Sequence, residues 1–448
     1  MAELRMRFVC ANGNKSPLHR ACQDLFISLC GDALLDTCYL ASVCELYSSI
    51  RSSDIGFSIR IHGFDEKLMI LAKTILSTCL SFRNRAGQST LPSCLKRDRF
   101  KACLEVLKRK YNNSSMKASA QVTDMRLRCI RKDQISARAK LDAITNISID
   151  NFNDIIAENL ESIRVDALLH GNVDRDDALN AESMIKSAVL ETGCGGFSMK
   201  KWPYQQVLKI PLLIKNQEIS SNSLDPTEPN TAVEIYFQMK DDDNRTRAVI
   251  DLLSEMMYEP LYDQVRTKEQ FGYQVSCGAR WTFGVIGMSF KVVTSNRSAN
   301  EVVDRLEKFL VDYRVELENM TTEKFLEHCV GLVRNKLLKS DNLEEECSSH
   351  WEKIIERKDA IDWEQSRNEA VELRGITKKE VIVAFDKWLA PFSNQQKPNK
   401  RRRIIVKVIG SSEKSHSEMQ EEDISCAVDD EVRKAHSAIG NNTWGKYC

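Results

Sequence analysis

One plan of elements is written twice along this 448-residue chain. The first copy opens on an apolar strand, Arg7-Phe8-Val9-Cys10-Ala11. Helical segments follow near 16–29 and 33–46, then a polar β-pair ending in Asp54-Ile55-Gly56-Phe57-Ser58-Ile59-Arg60-Ile61. An amphipathic helix comes next, with Leu68, Leu71, Ala72, Ile75, Leu76 and Cys79 on one face. Helical sequence runs from about 95 to 162. The copy closes on a strand from Arg164 to Gly171 and a helix near 175–190.

The second copy repeats that order. It has a strand Ala232–Gln238, helical segments near 243–257 and 259–270, and a β-pair from Tyr273 to Thr294. A helix follows with Val302, Val303, Leu306, Phe309, Leu310 and Tyr313 at spacings of three and four. Further helices cover about 321–389, the last opening on Thr377 and Glu380 in a capping-box pattern. The closing strand runs from Arg403 to Gly410. Ile55-Gly56 matches Ile286-Gly287, Gly171 matches Gly410 and Tyr47 matches Tyr273, each about 230 residues apart. So constant a separation predicts a duplication with loop insertions. Chance agreement of α/β patterns is the competing explanation. The fold class expected is α+β: two homologous α/β sandwich (roll) domains, antiparallel sheets backed by helices.

The expected domains are 1–200 and 201–410, with a loose polar C-terminal tail over 411–448. Between them, Gly193, Gly195, Gly196, Pro203, Pro211, Pro226 and Pro229 break periodicity, and a strand over 207–214 could open the second domain.

Lysine plus arginine number 64, as do aspartate plus glutamate, which argues against a dominant nucleic-acid or anionic-membrane partner. The 15 cysteines include no C-x-x-C pair and read as buried reduced thiols in helix patterns, such as those of Cys38, Cys44 and Cys79. The first residues do not read as a signal peptide, and no stretch of about 18 apolar residues occurs. A cytoplasmic protein is the expectation. Strand-like sequence begins almost at once, which suits a fragment or a separately encoded half.

The usual chemical motifs are missing. The closest histidines, His416 and His436, stand 20 positions apart, whereas H-x-x-E-H and H-E-x-x-H need two on one helical face. Glu327-His328 and His350-Trp351-Glu352 are adjacent pairs, and adjacent helix residues do not share a face. No metal ligand is therefore assigned. Gly193-Cys194-Gly195-Gly196 lacks the lysine and threonine of a phosphate loop, and no Gly-x-Ser-x-Gly elbow occurs. The basic run Lys397–Arg403 reads as a solvated loop, with a nuclear signal as the alternative.

One stretch stands out: Arg266-Thr267-Lys268-Glu269-Gln270-Phe271-Gly272-Tyr273, across a helix-to-strand turn. On charge alone, Arg266 would pair with Glu269 or Glu255, and Tyr273 would start a half-buried strand. The functional alternative has both meet an extended peptide. A guanidinium can grip a peptide carbonyl with paired donors, and a phenol can donate to an oxyanion. Gly272 would permit close backbone approach at that turn.

The run Glu259-Pro260-Leu261-Tyr262-Asp263-Gln264-Val265-Arg266 through Tyr273 closely resembles the C-terminal half of the insulysin/nardilysin family, pitrilysin-like inverzincin metalloendopeptidases. Ala167-Leu168-Leu169-His170-Gly171-Asn172, Ile286-Gly287, Phe309-Leu310 and His350-Trp351-Glu352-Lys353-Ile354 support it, over roughly residues 5–410. Phe271 stands where the family usually shows leucine.

The resemblance implies four homologous domains in two bowl-like halves around a chamber. The N-terminal half would carry H-x-x-E-H and a distal glutamate for zinc. The C-terminal half would lend an arginine and a tyrosine, matching Arg266 and Tyr273. This chain would then be the third and fourth domains. It would hold no cofactor itself and act on peptides with a zinc-bearing N-terminal half, encoded separately or lost by truncation. No independent catalysis is expected. The rivals are a peptide-holding or regulatory homologue without catalysis, and a structural subunit akin to the core proteins of mitochondrial processing assemblies.

Overall fold

The computed structural model describes residues 1–85, 97–114, 116–191, 205–212, 217–356, 361–391, 401–413 and 421–440. The Gly193–Gly196 segment and residues 397–400 of the basic run lie outside them.

Among the described residues, nine strands form two sheets. They are β1 (Ala2–Cys10), β2 (Leu46–Ser53), β3 (Gly56–Gly63), β4 (Ile163–Gly171), β5 (Gln217–Asn222), β6 (Thr231–Asp241), β7 (Gln274–Thr282), β8 (Val285–Thr294) and β9 (Arg402–Ile409). The first sheet has the order β2-β3-β1-β4, and the second β7-β8-β6-β9-β5. Element for element the second sheet repeats the first, all antiparallel, with β5 added parallel to β9 at the edge. The expected strand over 207–214 is absent from the described residues. There, Val207 makes only an isolated bridge to Arg131. The added strand, Gln-Glu-Ile-Ser-Ser-Asn, has too few apolar residues to announce itself.

The inner faces follow the period-two pattern. Leu4, Met6 and Phe8 of β1 join Phe57, Ile59 and Ile61 of β3 beneath the helices Pro17–Ala33 and Leu68–Leu80. Phe8 stacks on Phe57, directly opposite it, with ring centroids 4.5 Å apart. Val233, Ile235 and Phe237 of β6 join Met288, Phe290 and Val292 of β8 beneath Asn244–Leu261 and Ala299–Asn319. All six apolar positions read from each of the two amphipathic helices are buried.

The outer faces are covered by helices exchanged between the halves. Ala118–Ile130, from the first half, lays Ala118, Val122, Met125 and Cys129 against Tyr236, Ile404, Val406 and Val408 of the second sheet. Leu343–Glu356, from the second half, docks on the first sheet. There Arg5 Nη2 donates to Ser348 Oγ at 2.7 Å, and Arg60 Nη1 lies 2.8 Å from Glu344 Oε1. The expected loose tail is also part of this packing. Glu421–Ile439 is a helix whose Val428, Val432, Ala435 and Ile439 are buried at spacings of three and four.

Register tests the three matched pairs. Gly56 and Gly287 both lie on the outer face, opposite Val9 and Gln238. Gly171, opposite Ala2, is on the inner face, whereas the inner-face rung of β9 at Thr231 falls to the residue before Gly410. Tyr47 lies opposite His62 within β2, whereas Tyr273 precedes β7. A single-residue slip inverts the face, so those two pairs are neighbours of true equivalents.

Two further expectations change. Asn244–Leu261 runs straight through Pro260 instead of breaking before it, and continues as a π-helical segment. Arg401 and Arg403, expected in a solvated loop, are buried, each paired with Glu307. Cys44 is exposed rather than part of a buried face; Cys79 is buried as expected.

The repeated plan gives stability predictions. A Cβ on Gly56 (φ +154°) would lie 1.9 Å from the Phe8 carbonyl oxygen, and one on Gly287 would lie 2.4 Å from the Tyr236 ring. Gly56→Ala and Gly287→Ala should each cost ~1–3 kcal/mol. Gly31→Ala, a helical site with nothing within 4 Å, should gain up to ~1 kcal/mol. Thermal melts of the three variants check this, and equal Tm values would refute it. In addition, Arg126 Nε pairs with Glu234 Oε1 at 2.8 Å, with both side chains at most 5% exposed. Arg126→Met should cost ~3–5 kcal/mol in a denaturant titration, because it strands a buried carboxylate. A loss below ~1 kcal/mol would show that other groups neutralise Glu234.

Candidate functional site

The Arg266–Tyr273 stretch is built by a change of helical register. Asp243 caps the helix, its carboxylate accepting from the Thr246 N–H at 2.9 Å. Pro260 has no N–H to give to the preceding turn. Just beyond it, Tyr262–Lys268 adopts π geometry, and the Glu269 N–H donates to the Gln264 carbonyl at 3.0 Å. Such wide turns recur at functional sites. Gln270 then takes a left-handed φ of 52°, and the Phe271 N–H returns to the Val265 carbonyl at 2.9 Å. Arg266 and Tyr273 therefore leave from the two limbs of one turn.

Gly272 is needed by the fold there. A Cβ on it would lie 2.5 Å from Val293 O and 2.9 Å from Val292 Cγ1, so the close approach is to β8. The Tyr273 N–H donates to that same Val293 carbonyl at 3.1 Å, which anchors its backbone to the sheet. Phe271 packs against the core with the Arg297 guanidinium 4.9 Å over its ring.

The simple ion-pair reading of Arg266 fails. Glu269 is held by Arg305 at 2.5 and 2.7 Å and by Gln264 at 2.7 Å, and Arg305 keeps its carboxyl below the usual carboxylate range. Glu255 faces His328 at 3.7 Å. No carboxylate among the described residues pairs with Arg266, and its half-buried side chain has a buried Nε without a hydrogen-bond partner. That nitrogen is an N–H donor left unmet by the described residues.

Tyr273 is 57% exposed rather than half-buried as expected. Partial burial, and then Glu228, raise its pKa, so the phenol keeps its proton at neutral pH and can donate it. A mixed-charge cleft of about 620 Å³, lined by Glu259, Asp263, Lys268, Arg305 and Lys324 among others, lies along the same helix. It includes neither Arg266 nor Tyr273.

The structure also gathers a group that sequence spacing could not find. His170 of β4 meets Glu346 and His350 of the helix Leu343–Glu356. The only local signal is the four-residue step between Glu346 and His350, which puts them on one helix face. The sheet supplies the third member.

Comparison with known proteins fits this architecture. Residues 1–143 match the family model of the middle or third domain of peptidase M16, and residues 252–351 match domain 4 of the C-terminal lobe of PqqF-like PQQ synthase. A nardilysin-like protein of Arabidopsis thaliana is 31% identical over 86% of this chain and 36% of its own length. Human insulin-degrading enzyme is 24% identical over 84% of this chain and 35% of its own length. The chain thus spans about a third of the length of these relatives. The crystal structure of pitrilysin superposes with a TM-score of 0.77 at 15% identity, over 94% of this chain and 41% of that one, which shows the shared fold. No single described helix is long and apolar enough to cross a membrane. Duplicated sheets, family models and relatives agree: the chain belongs to the M16 peptidase family, with insulysin- and nardilysin-type proteins among its relatives.

Proposed function

We propose that this chain is the substrate-enclosing half of an insulysin/nardilysin-like metalloendopeptidase, the half without the catalytic zinc, with Arg266 and Tyr273 at the bound peptide. The observation that carries this reading is the Arg266 guanidinium, without a carboxylate partner among the described residues, on the same turn as the exposed, protonated Tyr273. The donors for the family's zinc do not fit here, since no two histidines share the spacing of H-x-x-E-H. The metal and its activated water belong in this reading to a separate N-terminal half, in the same polypeptide or in trans. A cytoplasmic location goes with it.

This chain's own groups would bind and orient. The Arg266 fork grips a backbone carbonyl of the peptide with two N–H donors. The Tyr273 hydroxyl donates to the scissile carbonyl oxygen as negative charge builds on it, a contact strongest in the transition state. Anchoring Tyr273 to β8 and Val265 in the core limits the reorganisation that contact needs.

A second reading, a peptide-binding or regulatory homologue without catalysis, is favoured by the missing histidine pair alone. Turnover by this chain combined with a zinc-bearing half separates the two. In that assembly Tyr273→Phe should lower kcat/KM by ~10²-fold, about 2.7 kcal/mol, with Tm unchanged. Arg266→Ala should raise KM for peptides without lowering Tm, because no ion pair is lost. Near-normal turnover in Tyr273→Phe would remove the tyrosine from the site. A fall in Tm without a kinetic change would make both residues structural.

A further inference from the structure

Where the helix Leu343–Glu356 docks on the first sheet, three side chains from opposite halves of the chain converge. His170 lies near the end of β4, and Glu346 and His350 lie one turn apart on the helix. His170 Nε2 and Glu346 Oε2 are 3.2 Å apart. The two imidazole rings are 5.4 Å apart at 71°, edge to face. One possible ligand atom from each residue falls within 4.8 Å of the other two, the only such group among the described residues. We infer that His170, Glu346 and His350 form a binding site for a divalent zinc-class cation that clamps β4 to the helix Leu343–Glu356.

Three features of the site support this. The donor set, two imidazoles and one carboxylate, is of the borderline kind that suits Zn²⁺ and Co²⁺, and three protein ligands leave one position for water. The ligands are not all spent on the fold: the buried Nδ1 of His350 has no hydrogen-bond partner, a costly state for an imidazole nitrogen unless something else meets it. The rings are also held in place. Trp363 packs edge-on against His350 at 5.7 Å, and the backbones are fixed by the sheet and by the helix docking. Glu346 is the adjustable member, its side chain 53% exposed against 24% for His170, so rotation about its χ angles can close the donors onto one ion without backbone movement.

An ordinary His170–Glu346 ion pair is the simpler account of the 3.2 Å contact. It gives no role to His350, which stands one helical turn beyond Glu346 and whose ring meets that of His170 edge to face. The inferred cation joins an element of the first half to one of the second. Its effect is therefore on the docking of the two halves, through binding that the folded state alone can make.

The experiment is a titration of the whole chain, freed of metal with a chelator, with ZnCl₂ by calorimetry and with CoCl₂ by visible absorption. Expected are one strong site per chain, a Co²⁺ d–d band of low-coordinate N/O ligation, and a Tm that rises with added zinc. His350→Ala and the milder Glu346→Gln should each weaken zinc binding by at least ~10²-fold and abolish the Tm rise. His436→Ala, which removes a histidine on another helix, should leave all three readouts unchanged. Absence of stoichiometric zinc binding in the wild-type chain overturns the inference whatever the variants do. So does undiminished binding in either Glu346→Gln or a folded His350→Ala.

Discussion

The two halves of this molecule hold together because each sheet buries a carboxylate on the face turned away from its own helices. Glu3 of β1 and Glu234 of β6 are both about 1% exposed. A charge so placed is tolerable only with a cation and hydrogen bonds beside it. Glu3 receives Arg60 Nε at 2.7 Å, and the same guanidinium reaches Glu344 of the docked helix. Glu234 is ion-paired with Arg126, delivered by the helix Ala118–Ile130, and accepts from the Thr123 hydroxyl at 3.2 Å. For Glu234 the neutralising arginine comes from the other half; for Glu3 the docked helix completes a network begun within the sheet. The exchange of helices is therefore specified by charge as well as by apolar area. An unexchanged arrangement would leave the second sheet's carboxylate without Arg126.

That exchange explains why the second half can hold a strained, partly unsatisfied turn at its rim. β8 is buried along both faces, Ile286, Met288 and Phe290 on one side and Val293 on the other. Gly272 and Tyr273 are set against this rigid strand, so the turn after the π segment is fixed at its sheet end. The Glu269–Arg305 pair fixes it at its helix end. Arg266 is left between these fixed points with no carboxylate partner among the described residues. A solvent-exposed helix of regular α geometry would have offered Glu269, three residues on, to that guanidinium at low cost.

The same packing brings the imidazoles of His170 and His350 together. Neither residue carries a motif, and their elements are far apart in the chain. They meet because the helix Leu343–Glu356 must cover the outer face of the first sheet, with Cys347 and Trp351 buried in the contact.

The sequence by itself determined the strands, the amphipathic helices and their duplication, because alternation and the three-four spacing of apolar residues are local consequences of backbone geometry. It also singled out Arg266 and Tyr273, a run whose residue types and order are dense enough to be distinctive. It did not reveal the edge strand Gln217–Asn222, whose polar residues carry no alternation, nor the helix Glu421–Ile439, whose four buried positions are diluted by charge. Only the tertiary structure decided that helices trade places between sheets, that Arg401 and Arg403 are buried on Glu307, and that Glu269 is taken by Arg305 and so is not available to Arg266. Each of these depends on which charged group arrives within a few ångströms of which other. That is fixed by packing between elements distant in the chain, and local periodicity has no access to it.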